Sequence, residues 1–98
     1  MITNEQAIEI VKNIISGLIP LDDDEYIIVD SGTIEKEWGW VFFYTSKKWY
    51  ETDDERYAIG GNAPLIVLRE NGKVITTGTA ETIEHYIERF EATGDPHG

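Results

Sequence analysis

The residues with the spacing of a chemical loop are Gly60-Gly61-Asn62-Ala63-Pro64, standing directly before the apolar run Leu65-Ile66-Val67-Leu68. A phosphate cradle needs its glycines between a strand and a helix, so that helix N–H groups face the anion. A Walker loop also needs Lys and Ser/Thr after its last glycine. Here the glycines precede a strand-like run and no Lys follows. The segment reads instead as a stiff corner. Gly60 or Gly61 supplies a positive φ, Asn62 bonds its own backbone, and Pro64 stands at the first strand position, where its missing N–H costs least.

Other constellations fail on ligand count or context. Glu81 and His85 are four residues apart on one helix face, but two ligands do not hold a metal. Asp22-Asp23-Asp24-Glu25 lacks the alternation and central glycine of a calcium loop. Ser16, Ser31 and Ser46 lie in no nucleophile context. The chain has no cysteine, which removes disulfides, thiol catalysis and Cys-based zinc sites together. The expectation is a protein that is not an enzyme, with no metal and no cofactor.

Glu51, Asp53, Asp54 and Glu55 differ in kind, because Trp49, Tyr50 and Tyr57 flank them. Aromatic anchors inside a charged rim are the anatomy of a protein interface. For Trp49 and Tyr57 a second reading stands beside this one, in which they fold back over the core. Tyr50 is expected to be exposed.

The charge balance narrows the partners. There are 19 Asp+Glu against 8 Lys+Arg, a formal net charge of −11 over 98 residues. Such a field repels nucleic acid and anionic lipid and attracts cationic proteins. No apolar stretch approaches the ~20 residues that a bilayer needs. The opening MITNEQAIEI has neither a basic nor a long apolar region, so no signal peptide is expected. A cytoplasmic protein with no nucleic-acid and no membrane partner follows, as monomer or homodimer.

These residues need a scaffold. The length predicts one domain over 1–98. Thr3 and Gln6 have capping-box spacing. Ala7, Ile10, Val11, Ile14, Ile15 and Leu18 then recur at helical period, giving a helix over 4–17. Tyr26 to Val29 begins a strand, with a break, bulge or turn at Ser31-Gly32. Thr33 to Glu37 continue the strand or form a hairpin loop. Trp38 to Thr45 is the strongest strand signal. Alternation puts Trp38, Trp40, Phe42 and Tyr44 on one face and Val41, Phe43 and Thr45 on the other. Both faces are apolar, so this strand is expected at the centre. A long connection follows over 46–63, with a helical turn expected around Asp53 to Ala58.

Leu65 to Arg69 and Lys73 to Thr77 pair through an Asn71-Gly72 turn of the two-residue I′ kind. Thr79 caps a last helix over 80–91, with Ala80, Ile83, Ile87 and Phe90 inward and Tyr86 at the edge. A polar tail over 92–98 is expected to fray. The fold class is α+β: an N-terminal helix, an antiparallel sheet of about four strands within 26–77, a C-terminal helix, and both helices on one face of the sheet.

Trp40-Val41-Phe42 in an aromatic strand, the corner Gly61-Asn62-Ala63-Pro64-Leu65-Ile66-Val67, Asn71-Gly72, and Gly78-Thr79 before the last helix together resemble the immunity protein 35 family, also called YrhB-like domains. The resemblance covers roughly residues 3 to 91. It implies a small α+β protein of bacterial polymorphic toxin loci that binds and neutralises a cognate toxin. The alternative it carries is a small chaperone-like binder of unfolded chains. In this light Trp40, Phe42, Gly61, Asn62, Pro64, Asn71, Gly72 and Gly78 are expected as fold determinants. The toxin-facing residues are expected elsewhere, at Trp49, Tyr50, Glu51, Asp53, Asp54, Glu55 and Tyr57.

Overall fold

The computed structural model describes residues 1–18, 25–52 and 63–98. The first helix, α1, spans Asn4–Ser16 and opens on the expected capping box. The Thr3 hydroxyl accepts from the Gln6 N–H at 3.2 Å, and the Gln6 side chain accepts from the Thr3 N–H at 2.8 Å. Two donors that α1 would leave orphaned are thereby satisfied. Ala7, Val11 and Ile15 form its buried stripe.

Strand β1 (Tyr26–Ile28), a 3-10 turn (Asp30–Gly32) and β2 (Ile34–Lys36) form one interrupted arm of a hairpin. The return arm is β3 (Gly39–Phe42) and β4 (Tyr44–Ser46), broken at Phe43. β2 pairs with β3, and β1 pairs with β4. The Ser31-Gly32 signal is therefore a kink inside the arm. The two halves of the return arm join different sheets: a four-stranded antiparallel sheet ordered β2-β3-β5-β6, and a two-stranded ribbon β1-β4. β5 (Leu65–Leu68) and β6 (Val74–Thr76) complete the larger sheet. β3 and β5 lie at its centre, as the two apolar faces of the Trp-rich strand require.

The α+β class is as read from the sequence, but the helices do not share a face. Trp40, Phe42, Leu65 and Val67 point to α1 and meet Ala7, Val11 and Ile15. Val41 and Ile66 point the opposite way and meet Ile87, with Ile34, Leu68, Ile75 and Phe90 around them. The last helix, α3 (Ile83–Thr93), therefore covers the far face. A central strand apolar on both sides needs a cover on both sides. Each fully buried aliphatic or Phe side chain is worth about 1.5–3 kcal/mol, so neither face could be left wet.

Trp38 is also reassigned. It lies in the β2–β3 turn rather than in the strand, and it joins the α3 side. Its ring meets Phe90 edge-on at 4.6 Å, and its indole N–H donates to Glu91 Oε2 at 3.0 Å. The change of face occurs at Gly39, whose φ is +154°. A Cβ there would collide with the Val67 carbonyl oxygen of the neighbouring strand.

The Asn71-Gly72 turn is longer than the two-residue I′ form. Leu68 pairs with Lys73, leaving Arg69 to Gly72 as the loop, with Gly72 at φ +74°. The reason is that Arg69 has other partners. Its N–H donates to the Trp38 carbonyl and its carbonyl accepts from the Ile2 N–H, both at 2.8 Å. Its guanidinium lies 4.4 Å from the Trp40 ring and donates to the Lys36 carbonyl and the Glu35 carboxylate. One arginine thus ties the β2–β3 turn, the β5–β6 loop and the N-terminus together.

The cap of α3 is Thr82, not Thr79, with its hydroxyl accepting from the His85 N–H at 3.2 Å. Thr77 is first held to the Pro64 carbonyl through its N–H and its hydroxyl. Gly78 then passes so close to the Tyr86 hydroxyl that a Cβ there would displace it. Tyr86, expected at the edge, is buried, and its hydroxyl accepts the Glu81 N–H. The chain must cross to the far face before it can coil. The tail is ordered rather than frayed. Gly94 caps α3 in the left-handed conformation, Pro96 is fully buried, and His97 Nε2 lies 3.0 Å from the Thr76 carbonyl.

Two glycines with positive φ should respond differently to alanine. Gly39→Ala combines a disfavoured φ with a backbone collision and should cost about 3 kcal/mol or more. Gly94→Ala meets open space and should cost about 1–2 kcal/mol. Urea unfolding of both variants checks the order; equal losses would remove the argument for Gly39.

Candidate functional site

Helix α2 spans Lys47–Thr52, inside what the sequence reads as a loop. It starts where the ribbon ends. Buried Ser46 turns its hydroxyl to accept the Trp49 N–H at 3.1 Å, the geometry of an N-cap. The ribbon is closed just before it, with the Lys47 N–H donating to the Glu25 carbonyl at 2.8 Å and the Lys47 ammonium paired with Glu25 at 3.1 Å. The Glu25 hydrogen bond, then the charges of Glu25 and Glu51, raise the Lys47 pKa above its ordinary value.

The first residues of the expected binding stretch sit on this helix. Trp49 is half-buried, Tyr50 is 59% exposed, and Glu51 faces solvent. The exposure of Tyr50 is as expected. Trp49 lines an open groove and belongs to neither core cluster. The shallow groove, of about 390 Å³, runs between α2 and the kinked hairpin, with walls of Phe43, Tyr44, Trp49 and Tyr50 and a floor that includes Val29 and Gly32. Asp53, Asp54, Glu55 and Tyr57, with Gly61 and Asn62 of the corner and the helical turn expected at 53–58, lie outside the described residues.

The sequence reading missed this groove's hairpin side. Its signals are the Ser46 cap three residues before Trp49, and Gly32, where a Cβ would lie against the Phe43 ring. Tyr44 also stacks edge-on with Tyr26, with ring centres 5.7 Å apart. Burial, and secondarily Tyr26, push the Tyr44 phenol above its ordinary value of 10.0.

A second, larger groove of about 630 Å³ lies between α1 and β1, lined by Ile8, Ile15, Leu18, Tyr26 and Ile28, with Lys12 and Asp30 at its polar margin. It runs up to Leu18 and Glu25, which flank residues outside the description. Among the described residues no group of three His, Asp or Glu side chains could hold a metal, and no helix is long and apolar enough to cross a membrane.

The model of immunity protein 35 matches residues 5–92, from the first turn of α1 to the last turn of α3. The chain belongs to the immunity protein 35 family. It is similar to the uncharacterized protein YrhB of Escherichia coli strain K12, with 32% identity over 71 residues, covering 72% of this chain and 76% of that one. No solved structure gives a significant match. Among the described residues the match takes in two sheets and three helices, and so includes α2 and the aromatic groove.

The raised phenol has a consequence with a fixed sign. The folded chain holds the Tyr44 proton more tightly than the unfolded chain does, so this contribution is complete below pH 10 and is lost as pH rises through the folded pKa. Stability should fall more steeply in alkali for the native chain than for Tyr44→Phe. Urea midpoints across that range, with tyrosinate absorbance, test it; parallel curves would show that Tyr44 titrates normally.

Proposed function

We propose that this protein is a non-catalytic, cytoplasmic inhibitor that binds and neutralises a cognate toxin through the acidic, aromatic-bearing surface around α2. The observation that carries the reading is Tyr50: a large aromatic, 59% exposed, beside an aromatic groove in a chain of the immunity protein 35 family. Exposed aromatics in an interface are typical energetic anchors. The net charge of −11 supports a basic partner. Opposite fields speed encounter and set orientation, even where they add little affinity. Tight binding requires no nucleophile or metal.

The test uses the toxin domain encoded beside this protein's own gene, purified and mixed with it. One stoichiometric complex that blocks the toxin is expected. Tyr50→Ala should weaken the complex about thirty-fold or more if Tyr50 is a hot spot, while thermal stability stays unchanged because the ring is exposed. Replacing Glu51, Asp53, Asp54 and Glu55 by Ser or Asn should lower kon and flatten its salt dependence. Unchanged rates would remove the acidic stretch from recognition. Suppressed aggregation of many unrelated unfolded proteins, without a stoichiometric complex, would move the reading to a small chaperone.

A further inference from the structure

The geometry points to the α2 groove as a seat for a cationic side chain, an arginine or lysine presented by the toxin. This rests on the inhibitor reading and names the chemistry of its contact. The walls are Phe43, Tyr44, Trp49 and Tyr50, and no described lining residue carries a charge. Aromatic faces are the negative side of the ring quadrupole, and a guanidinium or ammonium over them is attracted, most strongly by Trp. Next to Tyr50 on α2, Glu51 is exposed, and the chain as a whole carries a formal charge of −11.

The cations of α2 do not decide against it. Lys47 is already paired with Glu25 at 3.1 Å, and Lys48 stands a full turn before Glu51. The chain already uses this contact internally, with the Arg69 guanidinium 4.4 Å from the Trp40 ring. At about 390 Å³ the groove is near the small end of ligand sites, too shallow for a folded element and suited to one long side chain. A toxin basic enough to be steered by a charge of −11 has such side chains to offer.

Gly32 gives a means of filling the groove from its hairpin side while leaving Trp49 and Tyr50 in place. A Cβ there would meet the Phe43 ring at 3.5 Å, an ordinary contact, and Gly32 has no left-handed φ. Gly32→Leu should therefore fold and fill the floor. The experiment follows the Trp49 indole and Tyr50 ring NMR signals while titrating acetyl-Gly-Arg-Gly-amide, then the same peptide with citrulline, the uncharged isostere. Saturable shifts at Trp49 and Tyr50 are expected with the arginine peptide. Citrulline should bind about two- to thirty-fold more weakly, and Gly32→Leu and Tyr50→Leu should lose the arginine response.

Equal binding of both peptides, no binding of either, or an arginine response that persists in folded Gly32→Leu and in Tyr50→Leu would each overturn the proposal. The toxin separates the two ideas. A Gly32→Leu chain that still binds toxin with native affinity would remove the groove and leave the inhibitor reading. An arginine response with no toxin complex would do the reverse.

Discussion

The structure depends on β3 and β5 having no solvent face. Gly39-Trp40-Val41-Phe42 and Leu65-Ile66-Val67-Leu68 run side by side in register, and nearly every residue in both is buried. Two adjacent strands of this kind cannot be satisfied by a single layer of helix. α1 takes the Trp40 side and α3 takes the Ile66 side, and the path between them follows from that demand. The chain has to leave β6, slip past Tyr86 at Gly78 and reach Thr82 before a helix can start. Arg69 fixes the other end of the same pair, where two loops and the N-terminus meet over the Trp40 ring.

With both faces consumed, the aromatic groove forms at the end of the sheet. The return arm breaks at Phe43, and beyond it β4 belongs to the ribbon and runs straight into α2. Alternation is kept through the break, with Phe43 on the α3 side and Tyr44 on the α1 side. Both rings nonetheless border the groove under Trp49 and Tyr50. Rigid strands thus hold one wall, and a short helix capped by a buried serine holds the other.

How much could be read from the chain depended on the range of the interaction. The Thr3–Gln6 capping box was legible because its partners are three residues apart. The central place of the Trp-rich strand was legible because both of its faces are apolar. The same two-faced pattern already demanded a cover on each side, yet the one-sided helix arrangement came from the usual habit of antiparallel sheets. Thr79 and Thr82 are equal as caps by sequence; only the Tyr86 hydroxyl on Glu81 and the close pass at Gly78 choose between them. Gly39 gave no local sign, because its collision is with Val67, a neighbour only once the register is set. In the candidate site, the exposure of Tyr50 was expected because tyrosines are common at interfaces. The groove beside it was not, since it needs Gly32 and Phe43 brought opposite α2 by the kinked hairpin.

The ordered tail changes what a neighbouring molecule meets at β6. An outer strand normally offers a row of open donors and acceptors that invites another chain to add on. Here Leu68 pairs with Lys73 and Ile66 with Ile75, so alternation turns the amide groups of Val74 and Thr76 outward. The Thr76 carbonyl is already occupied by the His97 ring, and buried Pro96 beside it has no N–H to extend a ladder. An incoming strand would find its acceptor taken and its register interrupted. The residues after α3 thus work as a selvedge on the β6 side, finishing that margin of the weave.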